Sequence, residues 1–438
     1  MKKIFFLIFF AWLLFYIFTP PFQTPDEEGH YENIFWFSRL IYPQVEKKGE
    51  KISHFVDKFA LYFHFKKKPF SFKKIFSSPL IKKNSKDIDI KKIRPKNLQA
   101  YHPPLYPIIG AIFFKIAEIL NFNLIYQFYF TRLLSGIFYF LTIFISYKIL
   151  KMIFRKEKTV IPIFLFFSLN PQILRAGISI NPDIAVSFFS YLFLYFLLRF
   201  LNQKLTFKKV VILSLGAGLA SLSKFSGIFT AATFIIYLFL HKKTKNKLLN
   251  SFIFYTLFFI VLLPWFLVNL KINKNPIVGE AFIIAEYRKL NPLPLFSAVF
   301  SGFFALRHTL MHYSGFLGAT NEIFPPKIFF VFYPIFFTIF FFTGLIKNLI
   351  KSEIKIKILI IYFFALTSFL SSLGIYFKLL GVFWDLQGRY FIPGFLLFTI
   401  FVFFGFGRYS YFLTFFSAAH YFYAFLFLII PNFWKTFF

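Results

Sequence analysis

The sequence predicts an all-α, polytopic integral membrane protein, and three observations carry that prediction. Of 438 residues, 58% are hydrophobic and only 15% charged, a balance too apolar for a soluble chain. Long apolar runs recur from one end to the other, most of a length that crosses a bilayer or nearly so. Lys and Arg gather in the short stretches between those runs, where cytoplasmic loops concentrate positive charge. Lipid offers no partner to a backbone N–H or C=O, so each run is read as a helix that satisfies its own backbone.

The first apolar run, Ile4 to Phe18 in a span of about 3–18, follows Lys2 and Lys3. No small-residue cleavage site comes after it, and Thr19-Pro20-Pro21 leads into a charged segment, so it reads as an uncleaved signal-anchor. Further spans are expected near 126–148, 160–177, 184–201, 209–222, 227–240, 252–269, 327–346, 357–376, 391–405 and 409–430. Together they make about 11 transmembrane helices in a single domain covering 1–438. Basic sets at 148–158, 204–209, 242–247 and 347–357 each separate two spans and are assigned to the cytoplasm. Parity then puts the N-terminus in the cytoplasm and residues 19–125, 178–183, 223–226, 270–326 and 377–390 outside. The run 104–121 contains Lys115 and Glu118; parity requires that it not cross, and it reads as an interfacial or re-entrant helix. The long outer loop 19–125 is expected to carry amphipathic juxtamembrane helices. Its lysines, Lys66-Lys67-Lys68 among them, suit a solvated amphipathic surface, anionic headgroups or a phosphate-bearing lipid.

Composition also excludes. A net charge of +33 would suggest nucleic acid in a soluble protein, but topology accounts for it here, and no nucleic-acid partner is expected. Cysteine is absent, which removes disulfides, thiol chemistry and Cys-ligated metals. The 79 Phe residues accompany many Ile, Asn and Lys, a bias typical of AT-rich coding, so single Phe residues say little about function. No phosphate-binding glycine loop and no G-x-S-x-G elbow is present.

Ionisable residues away from the cytoplasmic loops of a membrane protein are costly and mark candidate sites. The densest group is Pro25-Asp26-Glu27-Glu28-Gly29-His30, followed by Tyr31, Glu32 and Asn33. Pro25-Asp26 resembles a helix start, and Ile34, Phe35, Phe37, Leu40 and Ile41 suit an amphipathic helix lying on the membrane. Asp26 and His30, four apart, would share a face. A carboxylate at a helix N-terminus is held ionised and suits a general base or metal ligand, or simple capping. Asn181-Pro182-Asp183 has the composition of an ordinary helix cap at the outer start of a span. Lys224, in Ser221-Leu222-Ser223-Lys224-Phe225-Ser226-Gly227, is a cation on the outer side that could bind phosphate or snorkel to headgroups. Arg389, in Trp384-Asp385-Leu386-Gln387-Gly388-Arg389-Tyr390, could clamp a phosphate with its fork. His102-Pro103-Pro104-Leu105-Tyr106 and the set Arg307, His308, His312 and Glu322 complete the outer loops. His308 and His312 share a helical face but lack an evident third metal ligand.

Taken together these motifs resemble the GT-C glycosyltransferases, membrane enzymes that use polyprenyl-phosphate sugars. Pro20-Pro21-Phe22-Gln23 running into Pro25-Asp26-Glu27 and His30 is similar to the bacterial domain-of-unknown-function family DUF2142. His102-Pro103-Pro104-Leu105-Tyr106, Asn181-Pro182-Asp183, Pro264-Trp265 with Asn269, and Gln387-Gly388-Arg389-Tyr390 match that branch in type and order, over about 20 to 395. The branch's usual Pro-Asp-Glu-Pro-Ala-His is Pro25-Asp26-Glu27-Glu28-Gly29-His30 here. The resemblance implies inverting transfer of a sugar to an acceptor on the outer face of the cytoplasmic membrane. In that reading Asp26 is the base, Glu27 stands beside it or on a divalent metal, and Asp183 orients acceptor or metal. Lys224 and Arg389 hold the donor phosphate, and His30, His102, Tyr106, Asn181, Gln387 and Tyr390 are further site candidates. A non-catalytic lipid-linked-glycan flippase predicts charges strung through mid-membrane runs instead of gathered at one face; an assembly subunit with a degenerate site is the other alternative.

Overall fold

A computed structural model describes residues 2–24, 26–45, 84–87, 93, 95–154, 156–276, 339, 343–344, 346, 357, 359–368, 392–406 and 411–429. The run expected at 327–346 falls mostly outside these residues, and so does the end of the run expected at 357–376, from 369 on; the Lys66-Lys67-Lys68 stretch, Arg307, His308, His312 and Glu322 lie outside them as well.

The described chain is helical nearly throughout. Helix α1 (Lys2–Phe18) is followed by α2 (Glu27–Ser38), then by strands β1 (Gln44–Val45) and β2 (Lys96–Asn97), which pair in parallel as Gln44 with Lys96 and Val45 with Asn97. Next come α3 (Leu105–Ile119), α4 (Leu124–Ile153), α5 (Glu157–Ser168), α6 (Pro171–Ile178), α7 (Asp183–Phe200) and α8 (Phe207–Ser223). A 3-10 turn, Phe225–Ile228, leads into α9 (Phe229–Leu240), and α10 (Lys247–Asn273) follows. Beyond it the described helices are α11 (Leu359–Ser368), α12 (Ile392–Phe406) and α13 (Tyr411–Tyr423), the last continuing into a π-helical stretch, Ala424–Ile429.

Among the described residues three helices are long and apolar enough to cross a membrane: α4, α7 and α10. The bent pair α5–α6 makes a fourth if counted as one span. The single span expected at 160–177 is in fact this pair, broken by 57°. The break has a local cause: the Asn170 side chain accepts the Gln172 N–H at 2.9 Å and so caps a new helix, with Pro171 in its first turn.

The bundle is glued by aromatic and small-residue contacts. α8 packs against α7 and α10, α4 against α7, and α1 against α6. The Trp12 indole donates to the Gly177 carbonyl at 2.9 Å, and the Tyr421 hydroxyl donates to Ala11 O at 3.1 Å, which ties the first helix to α13. Phe234 and Phe254 stack with ring centroids 3.8 Å apart.

The basic loops share one end. Lys357 Nζ donates to Met152 O at 2.9 Å, Lys243 Nζ to Asn202 O at 2.8 Å, and buried His241 contacts Phe200 O at 3.2 Å. At the other end α4 outruns its neighbours. Its 30 residues reach about 45 Å, against about 30 Å of hydrocarbon. Ser135 of α4 stands level with Ser179, to whose carbonyl it donates at 2.5 Å, so residues 124–131 project beyond the start of α7. α3 runs antiparallel along this overhang: Tyr106 meets Ser135, and Phe113 meets Phe130 with centroids 6.0 Å apart. α3 therefore lies beside the projecting part of α4, beyond the level at which α7 begins.

A polar latch closes the far end of that hairpin. Glu118, 2% exposed, accepts both arms of the Arg39 guanidinium, the Ser85 hydroxyl and, at 2.9 Å, Lys115 Nζ. Burial alone would raise the Glu118 carboxyl, but the hydrogen bonds from Arg39, Ser85 and Lys115 outweigh it and hold the group at about 2. Asn84 adds a bond to Phe122 O at 3.0 Å and accepts one from Gln127 at 3.1 Å.

Candidate active site

The end of the bundle opposite the basic loops is organised around one buried ion pair. Glu27 opens α2 and Arg132 lies two turns into α4; both side chains are 0% exposed. Arg132 Nε and Nη2 donate to the two Glu27 oxygens at 3.0 and 2.8 Å. The rest of the guanidinium reaches Thr19 O at 2.7 Å and Pro20 O at 3.1 Å, and its face lies over Phe128, 4.7 Å from the ring centroid. Glu27 Oε1 also accepts the Ile180 N–H at 2.9 Å. One carboxylate thus joins α2, α4, the loop after α1 and the turn between α6 and α7. A buried pair is stable only when its remaining hydrogen-bonding capacity is met, and here it is met on both sides.

This clamp sets the backbone of Asp26. The residue lies at the cap position of α2 with φ 60° and ψ 7°, in the left-handed region, and its side chain makes no capping bond. A non-glycine residue held there is a local cost that the surrounding anchors impose. Two expectations change. Asp26 is exposed while His30 is 4% exposed, so the two do not share a helical face: Asp26 stands outside the helix, and periodicity does not govern it. Nor does α2 lie on a membrane surface. Ile34 and Phe35 are buried in protein together with Glu32 and Asn33, whereas Leu40 is 97% exposed.

The returning segment 96–102 lies across α2. Asn97 Nδ2 bonds Gly29 O at 2.5 Å and Asn33 Oδ1 at 3.0 Å, and Asn33 Nδ2 donates to Gln99 O at 2.8 Å. A side chain at Gly29 would collide with Gln99, so only glycine admits this approach. The segment brings His102 to His30, with ring centroids 4.9 Å apart. Tyr106, at the start of α3, accepts the Asn181 N–H at 3.1 Å. Its own proton goes to Ser135 Oγ at 2.6 Å, since Ser135 spends its proton on Ser179 O.

The turn after α6 carries the second acid. Asn181 Oδ1 accepts the Asp183 N–H at 2.9 Å, ordinary helix capping. The Asp183 side chain, however, is taken by Lys224, whose Nζ lies 2.6 Å from Oδ1. Both are buried, with side chains 3% and 9% exposed. Lys224 is accordingly neither a solitary cation nor a headgroup anchor; it joins the α8–α9 hairpin to α7.

Asp26, Glu27, His30, His102, Tyr106, Asn181, Asp183 and Lys224 thus belong to one connected end of the bundle. Gln387, Arg389 and Tyr390 lie outside the described residues. Arg132 is the member that motif reading missed, although an arginine inside the apolar run 126–148 was a signal in itself. A divalent metal fits the donors poorly: both Glu27 oxygens are engaged, and among the described residues no three His, Asp or Glu side chains converge as ligands.

Fold and site together define a polytopic helical membrane protein whose buried acid–base clamp lies at the end away from its basic loops. A likeness to solved structures places the fold. ArnT from Cupriavidus metallidurans bound to undecaprenyl phosphate superposes with a TM-score of 0.50 at 12% identity, over 92% of this chain and 59% of that one. The chain therefore spans about three-fifths of that ArnT's length. The archaeal oligosaccharyltransferase AglB from Archaeoglobus fulgidus, in complex with an inhibitory peptide and a dolichol-phosphate, matches with a TM-score of 0.42 at 14% identity, over 76% of this chain and 47% of that one. No curated protein matches the sequence. Residues 7–398 match the family described as predicted membrane protein, DUF2142, and the chain belongs to that family.

Proposed function

We propose that this chain is a glycosyltransferase of GT-C type, moving a sugar from a polyprenyl-phosphate donor to an acceptor at the outer face of the cytoplasmic membrane. The observation that carries the reading is Asp26: an exposed carboxylate in a left-handed backbone, adjoining a fully buried Glu27–Arg132 pair. An ionisable group maintained in that conformation at the end of a membrane bundle is costly unless used. The shared fold with ArnT, whose structure holds undecaprenyl phosphate, supports the class of donor.

In the proposed reaction Asp26 accepts the proton of the acceptor hydroxyl as its oxygen attacks the anomeric carbon. The bond from that carbon to the phosphate oxygen breaks with inversion, and its electron pair leaves on the lipid phosphate. Phosphate departs as an anion, so cations serve it better than an acid would; Lys224 and Arg389 are assigned that role. Asp183 orients Lys224 through their ion pair, and Tyr106 and Asn181 hold the turn that carries Asp183. Glu27 positions Asp26 and does not touch substrate. His30, His102, Gln387 and Tyr390 are proposed to line the acceptor side. The whole chain 1–438 acts as one transmembrane unit in this reading, with 19–125 and 270–326 as outer loops.

Asp26→Asn tests the assignment. It is nearly isosteric, and insertion and thermal stability should stay at the wild-type level. Transfer of sugar to a lipid-linked or surface acceptor should fall by about 10²–10⁴-fold, the scale of general-base removal. Near-normal transfer by this variant would refute the role.

A further inference from the structure

Two buried donors beside this site have no acceptor among the described residues. α10 turns Trp265 and Asn269, one helical turn apart, toward the loop after α2; they are 2% and 0% exposed. The surroundings of Asn269 fix which of its atoms is which. The Val45 N–H donates to Asn273 Oδ1 at 3.2 Å, so Asn273 Nδ2 is the donor to Asn269 Oδ1 at 3.1 Å. The Tyr42 hydroxyl contacts the same Asn269 oxygen at 3.3 Å. Asn269 Nδ2 is then left with no acceptor among the described residues, and so is Trp265 Nε1. The indole neighbours the Tyr42 hydroxyl without reaching hydrogen-bond geometry. Buried N–H groups without acceptors carry the full cost of their desolvation, and native structures contain few of them.

Their position is as informative as their chemistry. Phe225, the residue after Lys224, lies against Trp265 with ring centroids 5.7 Å apart. Trp265 thus lies against the turn that carries Lys224. An alcohol or sugar hydroxyl needs an acceptor as well as a donor, and the Asn269 oxygen is already occupied. A phosphate oxygen only accepts, and so matches a pair of N–H groups on the helix that packs against the Lys224 turn.

We propose that Trp265 Nε1 and Asn269 Nδ2 bind the phosphate of the lipid-linked donor, completing with Lys224 a phosphate subsite on α10. The inference rests on the functional reading above and adds to it the residues that select phosphate over a neutral head. Neutral donors of this kind hold an anion without adding charge to a low-dielectric site.

The test uses the full chain in nanodiscs of neutral lipid and compares binding of undecaprenyl phosphate with that of undecaprenol. Wild type should prefer the phosphate. Trp265→Phe keeps the ring and removes one donor; Asn269→Asp keeps the oxygen used by Tyr42 and Asn273 and turns the donor into an anion. Each should weaken undecaprenyl phosphate by roughly tenfold or more, the aspartate more strongly, with undecaprenol unchanged. Wild-type affinity for the phosphate in both variants would overturn the subsite and leave a buried water as the acceptor, with the functional reading untouched. Equal loss of both ligands would reduce the residues to packing and likewise overturn it. A wild type that does not distinguish phosphate from alcohol would sink the subsite and the donor assignment together.

Discussion

Asp26 owes its geometry to its neighbour. Glu27 is the residue that three structural segments share, and the acid beside it takes a left-handed backbone that few non-glycine residues adopt. Arg132→Met should leave Glu27 buried without its counter-charge and lower stability by about 3–5 kcal/mol, read as thermal unfolding of detergent-purified protein. Adding Glu27→Gln should restore part of that loss, because the two changes remove one interaction; strictly additive losses would mean that the pair is not coupled. Sequence alone reveals the acidic cluster, since several carboxylates after a first span stand out against so apolar a chain. It does not reveal the division of labour. Two adjacent carboxylates are chemically alike on paper, and only the arrival of Arg132 from α4 and the Ile180 N–H makes one a strut and leaves the other exposed. The same holds for Lys224 and Asp183, 41 positions apart, whose pairing no spacing rule could supply.

At the scale of elements, apolar periodicity located the helices but not what they face. Ile34 and Phe35 mark a buried stripe on α2, yet a stripe reads the same whether it meets lipid or protein. Here it meets α3, because segment 96–102 and the latch at Glu118 hold the elements together. The bend between α5 and α6 was legible in Asn170-Pro171, a cap followed by proline, but hidden inside a continuous apolar run. The latch gives a pH dependence. Its carboxyl drops from an ordinary 4.5 to about 2 on folding, so its contribution is complete above the ordinary value and is lost as pH falls toward about 2. Acid unfolding of the wild type should steepen across that window, and Glu118→Gln should be less stable at neutral pH and flatter in acid. Identical acid profiles would remove the latch from the stability of the fold.

For the molecule as a whole, charge counting divides the loops into two groups, and the contacts of Lys357 and Lys243 bring the basic group to one end. We propose from the charge rule that the basic end faces the cytoplasm, and a labelling experiment decides it. The natural chain has no cysteine, so single cysteines report cleanly. Asn121→Cys, at the tip of the α3–α4 hairpin, should react with an impermeant thiol reagent on intact cells. Lys245→Cys, also exposed, should react only after permeabilisation. The reverse pattern would mean that the protein is inverted or that α3 is itself a span. Sequence left that last point open because 104–121 is apolar enough to cross. The register of Tyr106 on Ser135, set by tertiary contact, places α3 along the projecting part of α4.

The length of α4 has a mechanical corollary. A helix matched to the bilayer over one part of its course and to a protein scaffold over the rest answers to both at once. Hydrocarbon thickness fixes how far it rises, at a modest cost for each ångström of mismatch. Arg132 rides on that helix while its partners Thr19, Pro20 and Glu27 belong to other segments. A thicker or thinner membrane therefore pulls on the guanidinium that steadies Asp26, and lipid chain length becomes a dial on the geometry of the site.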